Sequence, residues 1–171
     1  MSDLFEKIST IIDDINEIIG NVVSWAAIAM VLVAFIVVVM RYIFGVGSIF
    51  LQESITYFHA CLFMIGSAYT LLHNGHVRVD IIYRESSDIK KSIIDLLGVT
   101  FFLIPSCIII WQTSIGYVLL SWSVFEGSAE TSGIQAVFLL KTVILVFAIL
   151  MGLQGLSLGL RSILRFRTKS N

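Results

Sequence analysis

The sequence predicts an all-α membrane protein, with four transmembrane helices preceded by an N-terminal amphipathic helix at the membrane interface. The first observation behind this class is composition: the mean hydropathy is +0.95, 57% of the residues are hydrophobic and only 13% are charged. A soluble domain of 171 residues could not bury so much apolar surface in one core. The second observation is that four segments are long and apolar enough to cross a hydrocarbon layer of ~30 Å, which takes ~20 helical residues.

Residues 1–20 are predicted to form the amphipathic helix. Their large apolar side chains recur at helical spacing on one face: Leu4, Phe5, Ile8, Ile11, Ile12, Ile15, Ile18 and Ile19. We expect this helix to lie along the interface, because the alternative, a free helix in the cytoplasm, would leave these side chains in water. The segment holds five acids and one lysine, and no small-residue cleavage site follows, so it does not have the pattern of a secretory signal.

Residues 21–160 are predicted to form one four-helix transmembrane domain. We place its spans at residues 22–40, 49–72, 96–120 and 134–158. None of them alternates between apolar and polar residues with a period of two, so membrane strands are not expected. Pro105, the only proline of the chain, lies near the middle of the third span and should kink or locally unwind it. Cys61 and Cys107 lie deep in the second and third spans and are expected to pack as small hydrophobic side chains.

The distribution of lysine and arginine predicts the orientation in the membrane. Four basic residues lie in the tail 161–171 and four in the connection between the second and third spans: Arg161, Arg165, Arg167 and Lys169, and Arg78, Arg84, Lys90 and Lys91. The connection 121–133 contains none. Both termini are therefore expected on the cytoplasmic side of the membrane, with 161–171 as a basic cytoplasmic tail.

Charged residues inside a span, or next to one, need a partner or a route to water. Arg41 ends the first span and Glu53 lies one turn into the second, on the same side of the membrane, so we expect an ion pair between them. The alternative is that each side chain reaches the interface separately. Lys141 lies about two turns into the fourth span, within reach of Glu126, Glu130 or an acid of a partner.

The connection after the second span carries residue types that bind metals. His73, His76 and Asp80 have a spacing that permits ligation on a helix, but Gly75 interrupts the helix that this spacing requires, so a metal site is not expected. We expect instead that Gly75 ends the second span and that Asp80 caps or pairs locally. Arg78 should reach lipid phosphates or an acidic partner.

The fourth span carries a face of small residues, since Ala148, Gly152, Gly155 and Gly159 recur at steps of four, three and four. Such a face lets another helix approach closely and associate through van der Waals contact. The sequence leaves open whether that helix belongs to this chain or to a partner.

Several short motifs together are typical of one family. They are Arg41-Tyr42 after the first span, Gln52-Glu53 at the start of the second, Gly66-Ser-Ala-Tyr69 followed by Gly75-His-Val-Arg-Val-Asp80, then Glu126 in the last connection and Gln154-Gly155 in the fourth span. From about residue 20 to 160 the chain resembles the small membrane subunit of tripartite ATP-independent periplasmic (TRAP) transporters, the DctQ/SiaQ type. It departs from that pattern at Gly133-Ile134-Gln135, where many members have a proline before the fourth span.

The resemblance implies a supporting subunit and not an enzyme, with no catalytic, substrate-binding or metal-ligating residues and no cofactor. The implied partners are a large DctM/SiaM-like membrane subunit that holds the substrate and sodium sites, a periplasmic substrate-binding protein that delivers a carboxylate such as sialic acid or a C4-dicarboxylate, and phospholipid, with no nucleic acid. The residues expected to serve partner contacts or structure are Arg41, Glu53, His76, Arg78, Asp80, Glu126, Glu130, Lys141, Gly152, Gly155 and Gly159. The sequence agrees with a supporting role, because it shows no midplane acid, no helix pair broken by glycine and proline and no inverted repeat.

Two other classes stay open. A self-assembling small exporter or channel would need a membrane-embedded acid, for which Glu53 is the only candidate. A redox anchor would need haem ligands on facing helices, whereas only His59 lies well inside the bilayer; we expect His59 to be packed and hydrogen-bonded across helices.

Overall fold

The computed structural model describes the backbone of residues 2–77, 83 and 86–170, and the side chains of residues 3–77, 83 and 86–166. The α-helices with defined bounds are α1 Ser2–Ile43, α2 Ile49–Ala60, α3 Gly66–Leu72, α4 Asp88–Gly98, α5 Ile104–Ser123 and α6 Val137–Ser170. The π-helical segments Cys61–Ile65 and Val99–Leu103 join α2 to α3 and α4 to α5. The described residues contain no strand, and four helical stretches can cross a membrane: Asp3–Ile43, Ile49–Leu72, Asp88–Ser123 and Val137–Phe166. The predicted all-α class with four spans is confirmed.

The helix α1 is uninterrupted over 42 residues, whereas we expected an interfacial helix followed by a separate first span. Residues 18–24 contain no proline, and the single Gly20 is tolerated inside a helix at a cost of ~1 kcal/mol, so nothing in the sequence ends the helix there. At 1.5 Å per residue, α1 is ~63 Å long, about twice the thickness of the hydrocarbon layer. The amphipathic segment therefore continues the axis of the first span.

The polar face of this segment turns toward the other helices, and its apolar face turns outward. Ser9, Asp13 and Asn16 are buried, whereas Leu4 and Ile18 are 57% and 66% exposed. This arrangement is the reverse of the one in a water-soluble bundle. It is expected in a membrane, where hydrogen bonds and close packing, and not the hydrophobic effect, hold helices together.

The fourth span, α6, is the central helix. In the most apolar stretch of α6, 33% of the residues are buried, whereas in that of the first span 0% are. It packs against all three other spans, while the third span packs mainly on α6 and the first and second also pack on each other. The start of α1, the ends of α3 and α6 and the start of α4 meet at one end of the bundle, which we call the termini end. The connections 44–48 and 124–136 lie at the other, which we call the loop end.

The third span is distorted where the sequence predicted it to be. The π-helical segment Val99–Leu103 stands immediately before Pro105, which lies in the first turn of α5. Proline lacks the N–H that would continue the regular hydrogen-bond ladder, so a local change of helical geometry is expected on its N-terminal side. The second span has a similar segment at Cys61–Ile65, which no proline accompanies and which the sequence did not signal. Cys61 and Cys107 are both free thiols.

Small side chains mediate the closest helix contacts. Several small residues are at most 1% exposed: Ser9, Ala68, Ser121, Ser157 and Ser162. The contact between α1 and α3 is closer still, because a Cβ atom added at Gly20 would lie 2.5 Å from Tyr69 Cβ. Backbones can approach this closely only where one partner has no side chain.

We predict that Gly20→Ala lowers the free energy of unfolding by ~1–3 kcal/mol, because the added methyl group overlaps the Cβ and ring of Tyr69 near its backbone. The matched control is Gly116→Ala in α5, where an added Cβ meets nothing within 4 Å. Reversible unfolding in lipid–detergent bicelles measures both. Equal stability of the two variants would contradict the close α1–α3 contact.

Candidate functional site: polar contacts at the two ends of the bundle

A buried polar cluster joins α1 to α6 near the termini end. The Asp13 carboxylate accepts hydrogen bonds from Gln154 Nε2 at 2.9 Å and from Ser157 Oγ at 2.7 Å, and it forms an ion pair with Arg161. Asn16 Nδ2 donates to Gln154 Oε1 at 2.7 Å. We call these five residues the Asp13 cluster. They engage both carboxylate oxygens of Asp13, the acid that lies deepest in this contact.

The spacing along both helices explains how the Asp13 cluster forms. Asp13 and Asn16 lie three residues apart on α1, and Gln154, Ser157 and Arg161 follow at steps of three and four on α6. Side chains with these spacings share one face of a helix. Asp13, Asn16 and Gln154 are 8%, 2% and 3% exposed, so a carboxylate left without these partners would be strongly destabilising.

Sequence reasoning missed this cluster. Asp13 was counted only among the five acids of residues 1–20, and Gln154 was noted only as part of a family motif. The signal that could have found it is the pair of matching polar faces, one on each helix, at a depth where an unpaired polar group is costly.

At the loop end, Glu53 anchors the connection before α6. Its carboxylate accepts a hydrogen bond from Ser128 Oγ, and another from the backbone N–H of Ile134 at 2.6 Å. Gly133 makes the approach possible, since a Cβ atom there would lie 2.6 Å from both carboxylate oxygens. The segment Gly133-Ile134-Gln135 thus holds the Glu53 carboxylate, and α6 begins only after it, at Val137.

The predicted ion pair between Arg41 and Glu53 is wrong. Arg41 is exposed, and it forms no ion pair with any residue that the structure describes. The prediction assigned Glu53 to the nearest opposite charge. Neutral donors of the connection bind this carboxylate instead. Arg41 is exposed, as expected under the alternative that each side chain reaches the interface separately.

Lys141 is paired within the chain. It forms an ion pair with Glu126, and its Nζ atom lies 3.9 Å from the centroid of the Tyr117 ring. The hydrogen bond from Lys141 holds the pKa of Glu126 below its ordinary value. Of the partners that the sequence allowed, the structure selects Glu126. Glu130 is exposed and contributes only backbone contacts, its N–H donating to Ser128 Oγ at 3.1 Å and its C=O accepting from Gln135 Nε2 at 3.3 Å.

The histidines that follow the second span have separate partners. His73 Nε2 lies 2.7 Å from Glu17 Oε2, and His76 Nε2 lies 3.2 Å from the backbone oxygen of Ser67. Arg78 and Asp80 lie outside the described residues. Within the described part of the chain, no group of three His, Cys, Asp or Glu residues is arranged to hold a metal ion.

The small-residue face of α6 packs inside the chain. A Cβ atom at Gly155 would lie 2.6 Å from Leu103 Cδ2, and one at Gly159 would lie 3.6 Å from Val99 Cγ1. A Cβ atom at Gly152 would lie 3.8 Å from Cys107 Cβ. The third span therefore packs on this face at Gly155 and Gly159, while Gly152 and Ala148 also line an open groove between the third and fourth spans. Contact of a partner helix with this face stays a prediction.

The fold and these contacts define a small multi-pass membrane protein whose buried polar groups connect its own helices. Residues 30–166 match the family model described as "Tripartite ATP-independent periplasmic transporters, DctQ component". Because the match spans well over half of the chain, the chain belongs to this family, which is a family of transporter components and not of enzymes. A search of curated proteins and a search of solved structures gave no match.

We predict that Glu53→Gln lowers the midpoint of thermal unfolding, because the amide nitrogen of glutamine cannot accept the hydrogen bond that one carboxylate oxygen accepts now. The effect should exceed that of Ser128→Ala, which removes one hydrogen bond and leaves the carboxylate. Arg41→Gln is the control and should leave the midpoint unchanged. If Arg41→Gln destabilises the protein as much as Glu53→Gln, the two residues form an ion pair after all.

Proposed function

We propose that this protein is the supporting small subunit of a TRAP transporter, which braces the large membrane subunit and helps to dock the substrate-binding protein during sodium-coupled uptake of a carboxylate such as sialic acid or a C4-dicarboxylate. The observation that carries the proposal is that the acids inside the bundle are already bound. Asp13 is held by Gln154, Ser157 and Arg161, and Glu53 by Ser128 and Ile134. A coupling site needs an acid or a set of oxygens that is free to bind an ion or a solute.

The same observation weakens the exporter or channel alternative. That alternative depended on Glu53 as a membrane-embedded coupling acid. Glu53 instead lies at the loop end and fixes the connection before α6, so it has a structural role in this chain.

The loop end supplies the surface for the binding protein in this proposal. Glu126 is engaged by Lys141, which leaves Glu130 as the exposed acid of the 124–136 connection. An exposed carboxylate at the rim of an interface contributes mainly to the rate of association, and its contribution falls as salt rises. Glu130 is therefore the better candidate of the two for contact with basic groups on a docked protein.

The termini end is cytoplasmic in this proposal, and the membrane is the bacterial inner membrane. The basic residues of the described part support this orientation, because Lys90, Lys91, Arg161 and Arg165 all lie at the termini end. Near the loop end the described basic residues are Arg41 and Lys141, and Lys141 is paired with Glu126. Short connections rich in lysine and arginine stay on the cytoplasmic side.

We predict that a cytoplasm-active reporter fused after Asn171 is active in cells and that a periplasm-active reporter there is not. The reverse pattern should hold for reporters inserted after Ala129, in the 124–136 connection. Periplasmic activity at Asn171 would reverse the orientation and would place the Glu130 surface in the cytoplasm.

We predict that the protein reconstituted alone in liposomes with a sodium gradient transports no carboxylate. Uptake should appear when the large subunit and the binding protein are added, and the large subunit should co-purify with this chain from the native membrane. Glu130→Lys should then weaken docking of the binding protein in a salt-dependent manner, with Lys90→Glu at the opposite end as the matched charge reversal. Sodium-driven uptake by this chain alone would overturn the supporting role.

A further inference from the structure

A cleft opens at the termini end between the helices. Its inner part is a cavity of about 430 Å³, which is within the range of small-molecule sites, and it includes Leu71, Leu158, Lys91 and Arg165 in its wall. An outer cavity of about 350 Å³ shares Lys91, Arg165 and Tyr83 with the inner one. The shared residues place the two cavities side by side, and we call them together the cleft.

Among the described residues that line this cleft, Lys91 and Arg165 are the cations that form no ion pair. Arg161 also lines the inner cavity, but Asp13 neutralises it. Lys91 Nζ lies 5.6 Å from the centroid of the Tyr83 ring, and neither Lys91 nor Arg165 forms an ion pair with any other residue that the structure describes.

Three described acids also line the cleft, as many as the described cations, and each acid has an interaction of its own. Asp13 is bound as described above, and Asp95 accepts a hydrogen bond from the Tyr83 hydroxyl at 3.0 Å. Asp88 lines the outer cavity and has interactions of its own. It stands in the first turn of α4, where the helix dipole favours a carboxylate.

The cleft lies at the depth where lipid headgroups begin. The uncharged part of α6 ends just before Arg161, and Arg165 follows one turn later. Leu158 lies seven residues before Arg165, which places it ~10 Å nearer to the middle of the span. Leu71 and Leu72, at the end of α3, line the same inner cavity. The cleft thus combines an apolar wall on the membrane side with two unpaired cations farther out.

We propose that this cleft binds a membrane phospholipid, with its phosphate between Lys91 and Arg165 and its glycerol and first acyl carbons against Leu71, Leu72 and Leu158. Lysine and arginine side chains in pockets between transmembrane helices bind phospholipid headgroups in this way. Charge-assisted hydrogen bonds from lysine and arginine are the strong contacts to a phosphate. The apolar wall fits the acyl carbons of a lipid, which a free phosphate lacks. The proposal requires a membrane location and does not depend on the proposed function.

The experiment titrates phosphatidylglycerol against the full-length protein in a neutral detergent, with native mass spectrometry as the readout of lipid bound per chain. We expect one tightly retained lipid per chain. The double variant Lys91→Gln, Arg165→Gln should weaken binding by about tenfold or more, which is the loss expected for charge-assisted hydrogen bonds. Lys90→Gln removes a neighbouring exposed charge that does not line the cleft, and it should leave the affinity unchanged.

Two further arms identify the chemistry of the ligand. Diacylglycerol, which has the same chains without the phosphate, should not be retained, and inorganic phosphate at the same concentration as the lipid should not displace it. If the double variant fails to fold, the charge-conserving pair Lys91→Arg and Arg165→Lys should fold and keep the lipid. Equal binding by the wild-type protein and the double variant, retention of diacylglycerol, or displacement by inorganic phosphate at that concentration would each overturn the proposal.

Discussion

The contact between α1 and α6 is the one on which the rest of the bundle depends, because lipid gives two apolar helices no hydrophobic reason to associate. The Asp13 cluster supplies hydrogen bonds that the hydrocarbon layer cannot replace, and these fix the register of the two longest helices. On α6, Gln154 and Gly152 lie two residues apart, so they point ~160° away from each other around the helix. One side of α6 therefore binds α1 through polar groups. On the other side the third span packs closely, because the glycines there have no side chain. Because α6 packs against all three other spans, these two faces determine where the other helices lie.

The parts of the fold that follow from local sequence were predictable. Four apolar stretches give four spans whatever their neighbours are, and Pro105 disturbs its helix because of its own missing N–H. Lys141 and Glu126 were also predictable as partners, since only 15 residues separate them and a charge in a span needs a counter-charge nearby. In each case the cause lies within the segment or next to it along the chain.

The parts that depend on distant contacts were not predictable in the same way. Glu53 was expected to need an oppositely charged partner. Its partners are instead the hydroxyl of Ser128 and the backbone N–H of Ile134, which lie 75 and 81 residues away along the chain. Their position depends on the backbone at Gly133, which no pattern of hydropathy reveals. The face of α1 that packs on α6 was not predictable for a related reason. An amphipathic segment indicates that two faces differ, but not which face turns inward, and here the buried face is the polar one because α6 offers matching donors and a cation.

The positions of the bound acids bear on how such a protein could serve a transporter. At the termini end the Asp13 carboxylate links the first span to the fourth, and at the loop end the Glu53 carboxylate links the second span to the connection that leads into the fourth. The Glu126–Lys141 pair, with Tyr117 beside it, links that connection to the third and fourth spans. Each end of α6 is thus tied to other spans by an acid, so sliding or rotation of one span would leave a carboxylate without its donors in or near the membrane, at a high energetic cost. Alternating access requires one part of a transporter to move against another that does not. A bundle held at both ends in this manner is suited to the part that stays fixed.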